Sequence, residues 1–133
     1  MKYITIEQLL QFHVLVLLKD GGMEGVRDIG RLEAAVAVQE QQVFGKDIYP
    51  TDFHKAAALL RGIVADHPFY DGNKRTAILA SLTLLELNGY TVTLQAGELV
   101  NFAVQVAVER LEVETIARWL EEHCEGQTGI AKK

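Results

Sequence analysis

His67-Pro68-Phe69-Tyr70-Asp71-Gly72-Asn73-Lys74-Arg75 puts a base, a carboxylate, a glycine turn and two adjacent cations within nine positions. An unperturbed imidazole titrates close to neutrality, so His67 suits accepting a proton from an attacking hydroxyl. Asp71 is the only carboxylate in the stretch, and Mg²⁺ carried by a nucleotide typically takes one or two carboxylates plus phosphate oxygens. Gly72 permits a tight turn and close backbone approach. Asn73, Lys74 and Arg75 open a helical pattern, whose first N–H groups lack internal partners and can face an anion. Two cations in a first turn oppose the helix dipole by about 0.3–1 kcal/mol each, a conflict that an anionic ligand removes. The chemistry these types allow is transfer of a phosphate-containing group. Phe69 reads as the apolar anchor that pins the loop.

The surrounding chain predicts the helices that must hold such a loop. Thr5-Ile6-Glu7-Gln8 is a capping box for a first helix ending near Lys19. Gly21-Gly22-Met23-Glu24-Gly25 follows as a loop, its glycines read as C-caps rather than as a phosphate loop. Asp28 caps a second helix. Val43-Phe44 and Ile48-Tyr49 flank Gly45-Lys46-Asp47, which predicts a short hairpin or flap over residues 43–49. Thr51 caps a third helix running toward Asp66, and Pro68 prevents its continuation. The next helix covers residues 73–87, with apolar residues round most of its circumference, so it belongs in the centre of a bundle. An extended piece at 90–94 precedes helices near 98–108 and 112–124. The fold expected is all-α: a compact bundle of about six helices with a small hairpin or extended flap. Residues 1–124 form one domain, and 125–133 a tail.

Composition narrows the setting. At 133 residues with 49% hydrophobic and 23% charged content, the chain is long enough for one self-supporting core. A net charge of -5 argues against a broad face for nucleic acid, so no direct DNA binding is expected. A lone cysteine, Cys124, excludes an internal disulfide and fits a reducing compartment, most simply the cytoplasm. The apolar run 12–18 is too short for a bilayer, which takes about 20 residues. The N-terminus lacks a secretion-signal pattern. Neither a membrane association nor export is therefore expected.

The remaining chemistry-bearing residues read more plainly. His54 and His67 lie 13 positions apart in one helical pattern, about 220° round its axis, so they cannot share a metal. His54 reads as structural or surface, and His13, on an apolar face, as a satisfied core histidine. His123 beside Cys124 is too isolated for zinc. Cys124 reads as packing, and Trp119 as core or an interface anchor. Arg61 and Asp66 could approach the pocket, with surface pairing preferred. Gly72-Asn73-Lys74-Arg75-Thr76 is not a P-loop, because no glycine stands five positions earlier and no strand precedes it. The glycine-rich loop and His-Arg-Asp set of ordinary protein kinases are also absent.

His67-x-Phe69-x-Asp71-Gly72-Asn73-Lys74-Arg75 resembles the signature of the Fic/Doc superfamily, and Lys74 resembles the Doc (death-on-curing) branch. The likeness runs over roughly residues 1–123. It takes in the early glycine loop, the flap-like segment and Leu85-Glu86-Leu87-Asn88-Gly89 at the end of the motif helix. It implies that His67 is the general base, Asp71 the Mg²⁺ ligand, and Gly72, Asn73, Lys74 and Arg75 the phosphate holders, with ATP and Mg²⁺ as cofactors. The 43–49 flap would align a target segment by strand addition. AMP-transferring members usually carry Gly at the Lys74 position and a second Arg at the Ile78 position. Loss of that Arg removes a charge-assisted contact of roughly 1.5–3 kcal/mol, about 10- to 150-fold in binding. The Doc-like placement of ATP, γ-phosphoryl toward the activated hydroxyl, then implies a protein kinase. Its expected target is a Ser or Thr of a translation elongation factor (Tu-like), with arrest of protein synthesis. AMP transfer, or a silent nucleotide- or partner-binding domain, is the alternative. The self-restraining Ser/Thr-x-x-x-Glu-Gly/Asn pattern is missing, since Asp20 and Glu121 stand where its hydroxyl residue belongs. An active chain would thus need restraint in trans, by a Phd-like antitoxin that folds on binding.

Overall fold

The computed structural model describes residues 1–126. Six α-helices form among them: α1 (Ile6–Asp20), α2 (Ile29–Ala37), α3 (Asp52–Asp66), α4 (Asn73–Leu87), α5 (Ala96–Glu109) and α6 (Val113–Glu122). Two small antiparallel pairs accompany them. β1 (Gln42–Val43) pairs with β2 (Lys46–Asp47), and β3 (Thr91–Val92) pairs with β4 (Cys124–Glu125). The expected all-α bundle with a hairpin flap is what forms. Of the tail expected at 125–133, Glu125 pairs with Thr91 in β4, and residues 127–133 lie outside the described residues.

The helix starts follow from their caps. The Thr5 side chain accepts from the Gln8 N–H while Gln8 returns a bond to the Thr5 backbone. Asp28 accepts from the Arg31 N–H, and Thr51 from the His54 N–H. The core lies between α3 and α4, where Ala56, Ala57, Leu59, Leu60, Ile63, Ala77, Ala80, Leu84 and Leu85 are fully enclosed. Alanine on facing helices lets the two backbones approach closely, so α3 shares the central place expected of α4 alone. Ile78 leaves that core for a second cluster with Leu99 and Ala103, beside Trp119.

The last helix is shorter than the 112–124 expected. It stops at Glu122, and the backbone then turns into β4. The His123 ring bonds back to the Trp119 carbonyl at 2.7 Å, while the His123 carbonyl accepts from both the N–H and the hydroxyl of Thr93. Strand bonds to 91–93 thus take over where the helical ladder would continue. Burial, with Glu86 nearby, pushes the Cys124 thiol up to about 11, which agrees with a packing role rather than a reactive one. No helix among the described residues is long and apolar enough to cross a membrane.

Candidate active site

His67 ends α3 in a left-handed conformation (φ 49°, ψ 63°), its N–H bonded to the Ile63 carbonyl. Pro68 forbids another turn, and the chain swings away with the imidazole exposed at the bend. Two arginines fix that bend from the other side. Arg27 donates to the His67 and Asp66 carbonyls, both at 2.8 Å, and Arg31 to the Asp66 carbonyl at 2.9 Å. Cations at the negative end of α3 complement its dipole while satisfying its last carbonyls.

Residues 25–28 run antiparallel beside 68–70. Arg27 and Asp28 N–H groups donate to the Pro68 carbonyl, the Tyr70 N–H donates to the Gly25 carbonyl, and Val26 bridges Phe69. The glycine loop therefore does more than cap α1. Gly21 does cap it, with φ 76° and its N–H on the Leu17 carbonyl. Gly22 (φ 123°) instead lies against Asp71, where an added Cβ would come within 3.1 Å of the Asp71 Cβ. The next N–H, of Met23, donates to Asp71 Oδ2 at 2.7 Å. Gly25 lies under the Tyr70 ring.

Three buried side chains complete the mounting. Phe69 is wholly enclosed and stacks on His13, with ring centroids 3.8 Å apart and planes 8° from parallel. His13 Nε2 sits 2.8 Å from the Asp71 carbonyl. A carbonyl only accepts, so that nitrogen carries the proton. Asn73 accepts from the Phe69 N–H and donates to the Phe69 carbonyl, closing the turn like one rung of a ladder. The His13 expected as a satisfied core residue is satisfied, but by the motif loop itself. That role escaped the sequence, although a buried donor on an apolar face had to find an acceptor somewhere.

These contacts enclose an open cleft of about 480 Å³ between the C-terminal end of α1 and the start of α4. His67, Asp71, Gly72, Asn73, Lys74 and Arg75 all line it, so the six residues expected to act as base, metal ligand or phosphate holders share one cavity. Gly72 (φ 77°) precedes α4, and no side chain caps that helix. With the Asn73 amide engaged by Phe69, this residue offers an anion its backbone N–H rather than its side chain. Lys74 is half-buried at the cleft, and Arg75 Nε lies 3.4 Å from Asp20 Oδ2. Asp20 also lines the cleft, where the sequence reading did not place it.

His54 proves structural, bonded to Thr51 and, at 2.7 Å, to Glu114. Arg61 and Asp66 form no surface pair with each other. The Arg61 Nε holds the Leu111 carbonyl and the Asp66 carbonyl receives the two arginines of α2 and its approach. Among the described residues no group of three or more His, Cys, Asp or Glu could cage a metal. A single carboxylate with one oxygen engaged fits an ion that arrives with phosphates to complete its shell.

Residues 3–85 match the family model described as Fic/DOC family. The chain belongs to the Fic/DOC family. The match covers α1 to most of α4, and so takes in the whole of this cleft. Two relatives lie on the Doc branch. "Toxin Doc" of Mycolicibacterium smegmatis is 41% identical over 102 residues, 73% of this chain and 76% of that protein. "Protein kinase doc" of Escherichia phage P1 is 33% identical over 118 residues, 88% of this chain and 91% of its own.

Proposed function

We propose that this chain is the toxin of a toxin–antitoxin pair and transfers the γ-phosphoryl group of ATP to a Ser or Thr hydroxyl of a target protein. The observation that carries the reading is the meeting, across one cleft, of His67 with the uncapped start of α4 and its Lys74 and Arg75. Relatives named as a toxin and as a protein kinase support it.

His67 takes the proton of the acceptor hydroxyl as its oxygen attacks the γ-phosphorus. The bond from that phosphorus to the β,γ-bridging oxygen breaks, and ADP leaves with the electron pair. The N–H groups that open α4, with Lys74 and Arg75, hold the phosphates and offset their charge. Asp71 would hold Mg²⁺, which when bound would supply charge neutralisation for the transferring group. Lys74 fills space that AMP-transferring relatives leave open with Gly. Ile78, where they carry a second Arg, packs against Leu99 and Ala103 instead. Both departures favour the γ-phosphoryl facing the hydroxyl. The target implied by the Doc resemblance is an elongation factor of the Tu type, and a Phd-like antitoxin restrains the toxin. An exposed apolar strip on α1, comprising Leu10, Val14, Leu15 and Leu18, supports a protein partner of this kind.

The test uses purified chain, a cytosolic extract and ATP labelled at the α- or the γ-phosphate, with His67→Ala beside the wild type. Label from the γ-position on a protein band, lost in His67→Ala by 10²-fold or more, is expected. Label from the α-position would make the reaction AMP transfer. No label from either would leave a binding domain.

A further inference from the structure

His67 also walls a second cavity, of about 390 Å³, and is the residue it shares with the cleft at α4. The cavity lies where α3 and α5 end. Val64, Ala65, Val106 and Ala107 line it with apolar surface, and Arg61 and Arg110 bring cations to it. Arg61 is partly buried and uses its Nε on the Leu111 carbonyl. Arg110 is exposed and ends α5 in a left-handed conformation (φ 53°, ψ 52°). Neither guanidinium has a carboxylate within ion-pair distance among the described residues. Arg31 and Arg75, by contrast, each lie beside a carboxylate, that of Asp28 and of Asp20. In a chain where 18 acidic residues face 13 basic ones, two guanidiniums with no carboxylate beside them, over an apolar lining, suit a carboxylate on a short methylene stem.

We propose that this cavity is the acceptor-side subsite, taking a Glu or Asp side chain of the target that lies next to the hydroxyl presented to His67. The proposal rests on the reading of His67 as general base, with the phosphoryl donor in the α4 cleft on one side and the acceptor on the other. Neighbouring residues of an extended segment advance about 3.3 Å each. Because His67, Arg61 and Arg110 line the same cavity, a carboxylate one or two positions from a hydroxyl at His67 would enter it.

The test follows the side-chain Nε–H resonances of Arg61 and Arg110 by NMR in nucleotide-free protein. The probes are a capped hexapeptide with Thr followed by Glu and its counterpart with Gln. Saturable shifts of both arginines with the Glu peptide, at least tenfold weaker with the Gln peptide and lost in Arg110→Glu, are expected. Arg110→Gln carries the same expectation should the reversal unfold the chain. Equal response to the two peptides, or none to either at millimolar concentration, overturns the proposal. So does an equal response to Mg-ATP, which would assign the cavity to the donor. Peptide binding is read without nucleotide, so its failure is separate from a failure of His67-dependent labelling.

Discussion

The motif loop and the flap are held in opposite ways. Residues 67–73 are fastened by bonds from α1, the glycine loop, the approach to α2 and α4. The flap, β1–β2, has its own two-strand pairing, one bond from Ile48 to Gln41, and one anchor to the core. That anchor is Lys55, buried, with Nζ 2.8 Å from the Gln39 carbonyl and 3.1 Å from Asp47 Oδ2. The Phe44 side chain at the flap's tip is entirely exposed, on a residue with φ 52°. On the proposed function, a centre that holds a phosphoryl group in line for attack needs over-determination. On the same proposal, a segment that receives another protein's backbone needs open edges, and tolerates a single tether.

Removing the closure of the loop should have the largest effect. Asn73→Ala leaves the buried Phe69 N–H and carbonyl without partners, at about 1–3 kcal/mol for each. Thermal unfolding should show a loss of several degrees, and any phosphate transfer should fall with it. A variant as stable as the wild type would mean that the bonds from α1, the glycine loop and the approach to α2 hold the loop without α4. Lys55→Met should come next. It keeps the aliphatic stem but frees Asp47 and orphans the Gln39 carbonyl, costing about 1–3 kcal/mol. Amide exchange should quicken in residues 42–48 and stay unchanged in 67–73. Quickening in both would show that the two regions are coupled, and would erase the contrast.

Acid offers a gentler way to release the same tether. Hydrogen bonds from Gln42 and Lys55 hold the Asp47 carboxyl below its ordinary value of 3.8. A group depressed on folding stabilises above its unfolded pKa and loses that contribution as pH falls through its folded one. The flap's exchange should therefore be flat across neutral and mildly acidic pH and rise only below about 3.8. Asp47→Asn should flatten that rise.

The difference between the regions also explains what the sequence could show. Caps at Thr5, Asp28 and Thr51, the turn at Phe44-Gly45 and the motif loop are local, since the residues that form them are neighbours in the chain. The cleft's donor residues were legible for the same reason. The mounting was not, because it joins distant segments: His13 to Asp71 across 58 positions, Met23 to Asp71 across 48 and Arg27 to His67 across 40. Periodicity marks which face of α1 is buried but does not say which loop that face meets. Glycine spacing signals close approach without naming the neighbour, so Gly22 and Gly25 read as caps. The end of α6 was missed because β4 forms only when residues 91–93 arrive beside it.

His13 separates mounting from mere packing within the loop's own region. His13→Phe keeps a ring stacked on Phe69 but removes the donor to the Asp71 carbonyl, for about 1 kcal/mol of stability. Its effect should fall on nucleotide use, raising KM for ATP more than it lowers kcat, because Asp71 and the start of α4 lose their fixed register. His13→Gln, which retains a donor, should recover part of that KM. Equal defects in both variants would assign His13 to the core alone.

The smallest effect tests whether the loop region has any slack. Arg75 and Asp20 are half-exposed and 3.4 Å apart, and an exposed pair of this kind is worth roughly 0.2–1 kcal/mol. Asp20→Asn should leave the melting temperature within about a degree. The same substitution removes a negative charge from the cleft and frees the Arg75 guanidinium for a phosphate. Mg-ATP should therefore bind a few-fold more tightly by calorimetry, and the gain should shrink as salt rises, since exposed charges are screened. Tighter binding with unchanged stability would mean that the one weakly fastened contact at the cleft is the one a ligand must displace. Weaker binding would instead give Asp20 a share, with Asp71, in holding the nucleotide's metal.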